Sequence, residues 1–164
     1  YYHEAFGMSL DRAGLLMGIL SFAGTLSLVV MSVLVIWVSR RRPLLIWPGI
    51  AAGIAGLGSI FLADTPLIFV VIAILGFACW CYLPPLLTIP MELPESDSNS
   101  VAIIFAVLQS LGSLLTFVAP FIVGYTTDLL GSYIPSLVLF SATGFSLVIS
   151  GYLLPETGKP YTAE

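Results

Sequence analysis

The sequence predicts an all-α membrane protein, a polytopic bundle of five transmembrane helices. Its 164 residues are 59% hydrophobic and only 9% charged, and the mean hydropathy is +1.07. Soluble domains carry about 25% charged residues, so this chain has too few to cover the surface of a soluble core. Its apolar runs also reach the roughly 20 residues that a helix needs to cross a bilayer, whereas the strands of a membrane barrel are shorter and alternating.

A basic loop between the first two apolar runs sets the predicted orientation. Ser39-Arg40-Arg41-Arg42-Pro43 holds three of the five Lys and Arg residues. Guanidinium groups are excluded from hydrocarbon, and short loops rich in Lys and Arg stay in the cytoplasm. We therefore predict that residues 39–43 are cytoplasmic. The net charge of −4 argues against a nucleic-acid partner, because nucleic acid needs a basic surface.

The remaining segments follow from this orientation. Residues 1–12 are predicted to be extracytoplasmic, the bundle to occupy residues 13–154, and residues 155–164 to form a cytoplasmic tail. With five spans the loop 92–99 also faces the cytoplasm, and Lys159 in the tail agrees with the positive-inside rule. The spans are predicted at about 13–38, 43–63, 66–91, 100–126 and 134–154, the third interrupted by Pro84-Pro85.

The chain begins at Tyr1 without a Met or a visible signal peptide. A signal peptide would show a charged start followed by a short apolar run. An odd number of spans with an outside start is expected of a truncated bundle. We therefore expect the chain to be a fragment of a longer multi-pass protein of the cell membrane.

Three spans carry polar or aromatic faces that could line a cavity. Gln109, on the fourth span, is the most polar side chain in mid-membrane, and its amide needs partners in protein or water. The alternative is that Gln109 bonds neighbouring helices, which is at least as common, and Trp80 could equally be a packing residue. The candidate lining residues are Ser21 and Thr25 on the first span, Trp80 on the third, and Phe105, Gln109, Ser113 and Thr116 on the fourth.

The second and fifth spans look like outer supports. Gly49, Ala52, Gly53 and Gly56 give the second span a seam of small residues for close helix packing. Small polar residues are scattered through the fifth span. No Asp, Glu, Lys, Arg or His lies in any predicted span core, which weakens any mechanism that needs a proton relay or an intramembrane ion pair within this segment.

Three stretches of sequence carry a family resemblance. In order, spacing and sidedness they resemble the P-x-E-L-x-P, lG…P…G…D…G and PET-type sequences of the major facilitator superfamily. The resemblance covers nearly the whole chain, matching the last five of that family's twelve helices and the outer end of the seventh. The stretches are Pro90-Met91-Glu92-Leu93-Pro94, then Ser110-Leu111-Gly112 with Pro120, Gly124, Asp128 and Gly131-Ser132, and finally Leu154-Pro155-Glu156-Thr157-Gly158.

The resemblance implies a secondary active transporter that moves a small solute by alternating access between two helix bundles. Its partners would be that solute, membrane lipid and the missing N-terminal half of the same transporter. The family's second-half cavity is lined by its seventh, eighth, tenth and eleventh helices. The last three match the spans with polar faces. The region from Glu92 to Gly131 is loosely similar to cyanate-permease-type and other organic-anion members.

One part of the family pattern is absent. The loop after the eighth helix often reads G-x-x-x-D-R-x-G-R-R, but Val33, Trp37 and Val38 replace the glycine, aspartate and arginine here. Only the terminal pair, Arg41-Arg42, remains. The resemblance therefore gives no support for the charge-based latch that this loop can form between helices.

Two other classes of function compete with transport. An intramembrane enzyme would need a nucleophile with a base, or a metal cluster, at membrane depth. The only histidine is His3, outside the spans, and neither G-x-S-x-G nor H-E-x-x-H occurs. We therefore predict no enzyme activity, no cofactor and no metal. A non-transporting membrane subunit or sensor stays open as the alternative.

Overall fold

The computed structural model describes residues 1–93 and 97–157, and these ranges contain helices with no strand. Five helical stretches are long and apolar enough to cross a membrane. The prediction of an all-α chain with five membrane-length helices is therefore confirmed. The eight helices are α1 (Tyr2–Phe6), α2 (Leu10–Trp37), α3 (Arg41–Phe61), α4 (Ile68–Cys81), α5 (Leu83–Glu92), α6 (Ser98–Leu130), α7 (Ile134–Thr143) and α8 (Ser146–Leu153).

Local capping explains where the helices begin and end. The Ser9 side chain accepts a hydrogen bond from the Arg12 backbone N–H at 3.4 Å, and Asp97 accepts one from Ser100 at 2.9 Å, as expected of helix N-caps. The helix α6 runs four residues past the predicted end of the fourth span. It stops only at Gly131, whose φ of 65° is accessible to glycine at little cost.

The third and fifth spans each contain a turn between two helices. The third breaks at Tyr82 between α4 and α5, with Pro84 in the first turn of α5, as the sequence predicted. The fifth span was predicted at about 134–154, and the span Ile134–Leu153 confirms it, with one turn at residues 144–145 between α7 and α8. Its turn at residues 144–145 is tightened by hydrogen bonds from Gly144 N–H to Ser141 O and from Leu147 N–H to Gly144 O, each 3.2 Å.

The turn of the fifth span packs closely against α3. A Cβ atom on Gly144 would lie 2.8 Å from the backbone nitrogen of Gly53, and one on Gly49 would lie 2.9 Å from Leu147 Cβ. Such distances exclude a side chain unless the backbone shifts. The predicted small-residue seam of the second span therefore does bring two helices together.

The helix α3 lies in the middle of the bundle. It contacts α4 and α5 on one side and α7 and α8 on the other, while α2 packs on α4 and α5. The expectation that the second span is an outer support was therefore wrong for this chain, because its glycine and alanine faces let neighbours approach from two sides. The helix α6 contacts mainly α5 and α7, and none of its residues is buried.

The segments predicted to share one side of the membrane meet in space. The loop before Arg41, the end of α5 and residues 154–157 lie together. At the opposite end, the Tyr2 hydroxyl donates to Ser59 O at 3.0 Å and the Tyr133 hydroxyl donates to Glu4. Residues 94–96 of the predicted cytoplasmic loop and residues 158–164 of the tail, including Lys159, lie outside the described residues.

Candidate functional site

Arg41 is the centre of a polar cluster at the end of the bundle that the sequence assigns to the cytoplasm. The residue is only 8% exposed although it carries a full charge. Its Nε lies 3.2 and 3.1 Å from the two carboxylate oxygens of Glu92, and one terminal nitrogen makes an ion pair with the same group. A charge this buried requires such pairing, since a lone one is expensive to desolvate.

The other terminal nitrogen of Arg41 caps α2. It donates to the carbonyl oxygens of Val35 and Val38 at 2.6 and 2.8 Å. The last carbonyls of a helix have no partner within that helix and carry its negative dipole end. One guanidinium thus neutralises the carboxylate at the end of α5 and satisfies two carbonyls at the end of α2.

The chain after α8 completes the cluster. The backbone N–H of Arg41 donates to the Glu156 carboxylate at 2.5 Å, so an acidic side chain lies at the positive end of α3. The Thr157 hydroxyl donates to Glu92 at 2.8 Å, and Arg42 Nε donates to Leu154 O at 3.1 Å. The cluster therefore joins three segments that are far apart in sequence: residues 35–42, Glu92 and residues 154–157.

The sequence did not reveal this cluster. Arg41, Glu92 and Glu156 were each noted as motif residues, but the missing Asp and Arg of the loop pattern left no support for a latch. The structure shows a charged connection formed with different partners. The sequence did contain one indication of the cluster. Glu92 and Glu156 were both assigned to the same side of the membrane as the arginine loop.

A cavity of about 470 Å³ adjoins the cluster. Arg41, Glu92 and Thr157 form its polar wall, and Val35 and Met91 its apolar wall. In the ranges 1–93 and 97–157, no three His, Cys, Asp or Glu side chains lie close enough together to hold a metal ion. The cluster is therefore built from hydrogen bonds and one ion pair.

The four candidates on α6 lie on one face of that helix. Phe105 is half-buried, and Gln109, Ser113 and Thr116 are exposed. The Thr116 hydroxyl donates to Gly112 O at 2.9 Å, whereas the Gln109 amide has no hydrogen bond to any residue in the described ranges. None of the four side chains is buried within the described part of the chain.

The other three candidates lie on the far side of the bundle. Ser21 and Thr25 are exposed on α2, and the Thr25 hydroxyl donates to Ser21 O at 3.0 Å. Trp80 packs beside them, since a Cβ atom on Gly24 would lie 3.0 Å from its Nε1. The structure thus brings Trp80 to α2 but leaves the α6 stripe separate, and all seven stay predicted lining residues.

Tyr133 and Asp97 are two of the groups outside the spans whose pKa is shifted. The Glu4 carboxylate raises the pKa of Tyr133, because it accepts a hydrogen bond from the neutral phenol and its charge opposes a phenolate. The Ser100 hydrogen bonds lower the pKa of Asp97, because they stabilise the carboxylate that caps α6. Both groups are exposed, so these shifts describe helix ends and loops, and neither marks a reactive site.

Comparison with protein-family models, with curated proteins and with solved structures finds no match for this chain. The composition and the five long apolar helices fit a multi-pass membrane protein.

Proposed function

We propose that this chain is part of a secondary active transporter, and that it forms most of one helix bundle of that transporter. The resemblance of its three sequence stretches to the major facilitator superfamily motivates the proposal. In this view the solute is small, in the organic-anion class, and moves by alternating access between this bundle and a missing N-terminal half. Residues 39–43, 92–99 and 155–164 then face the cytoplasm.

The polar stripe of α6 is the observation that carries the proposal. A span with an amide and two hydroxyls on one face is costly to present to lipid, so such a face is expected to meet protein or water. The helix α6 has no buried residue. A second bundle facing this stripe would cover it and leave a water-filled path between the two.

The Arg41 cluster has a mechanical role in the same proposal. Alternating access in such transporters is largely a rigid-body movement of one bundle against the other. A buried ion pair that ties α2, α3, α5 and the following chain together would keep one end of this bundle rigid. The solute itself would contact Gln109, Ser113 and Thr116 on α6.

The test is transport by this chain together with the six-helix half that the proposal places before it. The two halves are reconstituted in vesicles and supplied with radiolabelled small organic anions. Uptake that needs both halves and saturates with substrate supports the proposal. Binding of a solute without uptake by the pair would instead favour a sensor, and a gene with no preceding membrane half would exclude the transporter.

A further inference from the structure

A long apolar groove runs along α4 between α2 and α3. Both helices pack on α4, and the space between them has a volume of about 810 Å³. Its floor includes Val70, Ala73 and Phe77, and its walls include Ala23 and Leu26 of α2 and Trp47 of α3. Small residues on the floor and walls keep the groove open.

Each end of the groove lies beside a cation. At one end Phe69 lines the groove, and the Arg12 guanidinium stands 5.4 Å from the centre of its ring. At the other end the lining begins with Pro43 and Leu44, three and four residues after Arg40. Arg40 is the N-cap residue of α3, with an extended backbone directly before the first turn, so chain connectivity places it close to this end of the groove.

The three neighbouring arginines differ in how their charges are used. Arg41 is paired with Glu92, and Arg42 donates to Leu154 O. Arg40 is exposed and makes no hydrogen bond or ion pair with any residue in 1–93 or 97–157. Among the described residues, Arg40 is therefore an exposed, unpaired cation close to one end of the groove.

We propose that this groove binds an anionic phospholipid, with one acyl chain along α4 and the phosphate at Arg40. Lipid tails are as apolar as the groove lining, so the tail alone gives little preference over bulk lipid. The headgroup must supply it, and basic sites beside membrane helices attract anionic headgroups. This inference does not depend on the proposed transport function.

The dimensions favour a lipid over a partner helix. A helix with its side chains is about 10–12 Å wide, so a 20 Å length fills roughly 1,600 Å³. That is about twice the volume of the groove. A helix would therefore lie across the mouth and leave the floor empty, whereas a flexible acyl chain can follow the floor.

Trp47 is a natural reporter because it lines the groove and the chain has only two other tryptophans. A variant with Trp37→Phe and Trp80→Phe is placed in lipid nanodiscs. Quenching of Trp47 by phosphatidylglycerol with brominated tails is compared with quenching by brominated phosphatidylcholine. We expect about fivefold stronger association of phosphatidylglycerol, since one arginine near an anionic surface contributes about 1 kcal/mol.

The matched variants are Arg40→Gln and Arg12→Gln. The first should bring the two lipids to equal association, and the second should retain the fivefold preference. Native mass spectrometry of the chain with its own tryptophans gives the same comparison from retained lipid, should the double variant not fold. Equal association in the parent chain, a preference unchanged by Arg40→Gln, or a dimer without lipid preference would overturn the proposal.

Discussion

The guanidinium of Arg41 lies against the carboxylate of Glu92, 51 residues further along the chain. The pair joins the start of α3 to the end of α5, and both side chains are less than one-third exposed. The same guanidinium satisfies two carbonyls of α2. Because the pair has several further hydrogen bonds, its removal disturbs three helices at once.

Removing either charge of this pair should destabilise the fold. Glu92→Gln keeps the volume but leaves the buried guanidinium without its counterion, which costs about 3–5 kcal/mol. For a chain of this size that corresponds to a melting temperature lower by roughly 6–20 °C. Thermal unfolding in detergent measures the change. Arg40→Gln is the control, because an exposed substitution should stay within about 0.5 kcal/mol.

An equal, small effect of Glu92→Gln and Arg40→Gln would contradict a structural role for the pair. Thr157→Val provides a graded comparison, since it removes one hydrogen bond to the carboxylate and leaves both charges in place. Its effect should lie between those of the other two variants.

The contact between Gly144 and Gly53 should not tolerate a methyl group. In Gly144→Ala the new Cβ would meet backbone atoms of α3, which cannot turn aside as a side chain can. Overpacking of this kind costs about 1–3 kcal/mol. Gly112→Ala on α6 is the matched control, because nothing lies within 4 Å of its Cβ position and alanine favours a helix.

Thermal unfolding of both variants in the same detergent tests whether position 144 tolerates a methyl group. The Gly144 variant should melt lower than the parent, and the Gly112 variant at the same temperature or higher. If both variants melted alike, the close approach to Gly53 would not restrict the residue at position 144.

The features that the sequence predicted are those fixed by local chemistry. Hydropathy and length predicted the five spans, and Pro84 predicted the break in the third, because proline acts within its own turn. The close approach of Gly144 to Gly53, 91 positions earlier, was not predicted, because a single sequence does not show which residue will face a given glycine. The partners of Arg41 were missed for the same reason, as a single sequence does not show which acidic residue will face a given arginine.

The orientation can be tested by the access of a reagent to single cysteines. Cys79 and Cys81 are first replaced by Ala, and a cysteine is then placed at Ser98 or at Asp64, both exposed. If residues 39–43 are cytoplasmic, an impermeant thiol reagent added to intact cells should label position 64 and spare position 98. Permeabilised cells provide the control, and both positions should label there. Labelling of position 98 alone in intact cells would invert the predicted topology.

A substitution at Gln109 tests whether its face of α6 binds the solute or contacts another helix. Gln109→Leu keeps the volume and removes the amide, and an unmatched polar partner then costs about 1–3 kcal/mol. If the amide binds the solute, apparent affinity in the reconstituted pair should fall about tenfold, with unchanged thermal stability. If the amide instead bonds another helix, thermal stability should fall while the apparent affinity stays unchanged.

The control is Leu108→Ile, a neighbouring exposed position off the stripe, which should change neither stability nor affinity. A stable Gln109 variant with unchanged affinity would remove this residue from the predicted site.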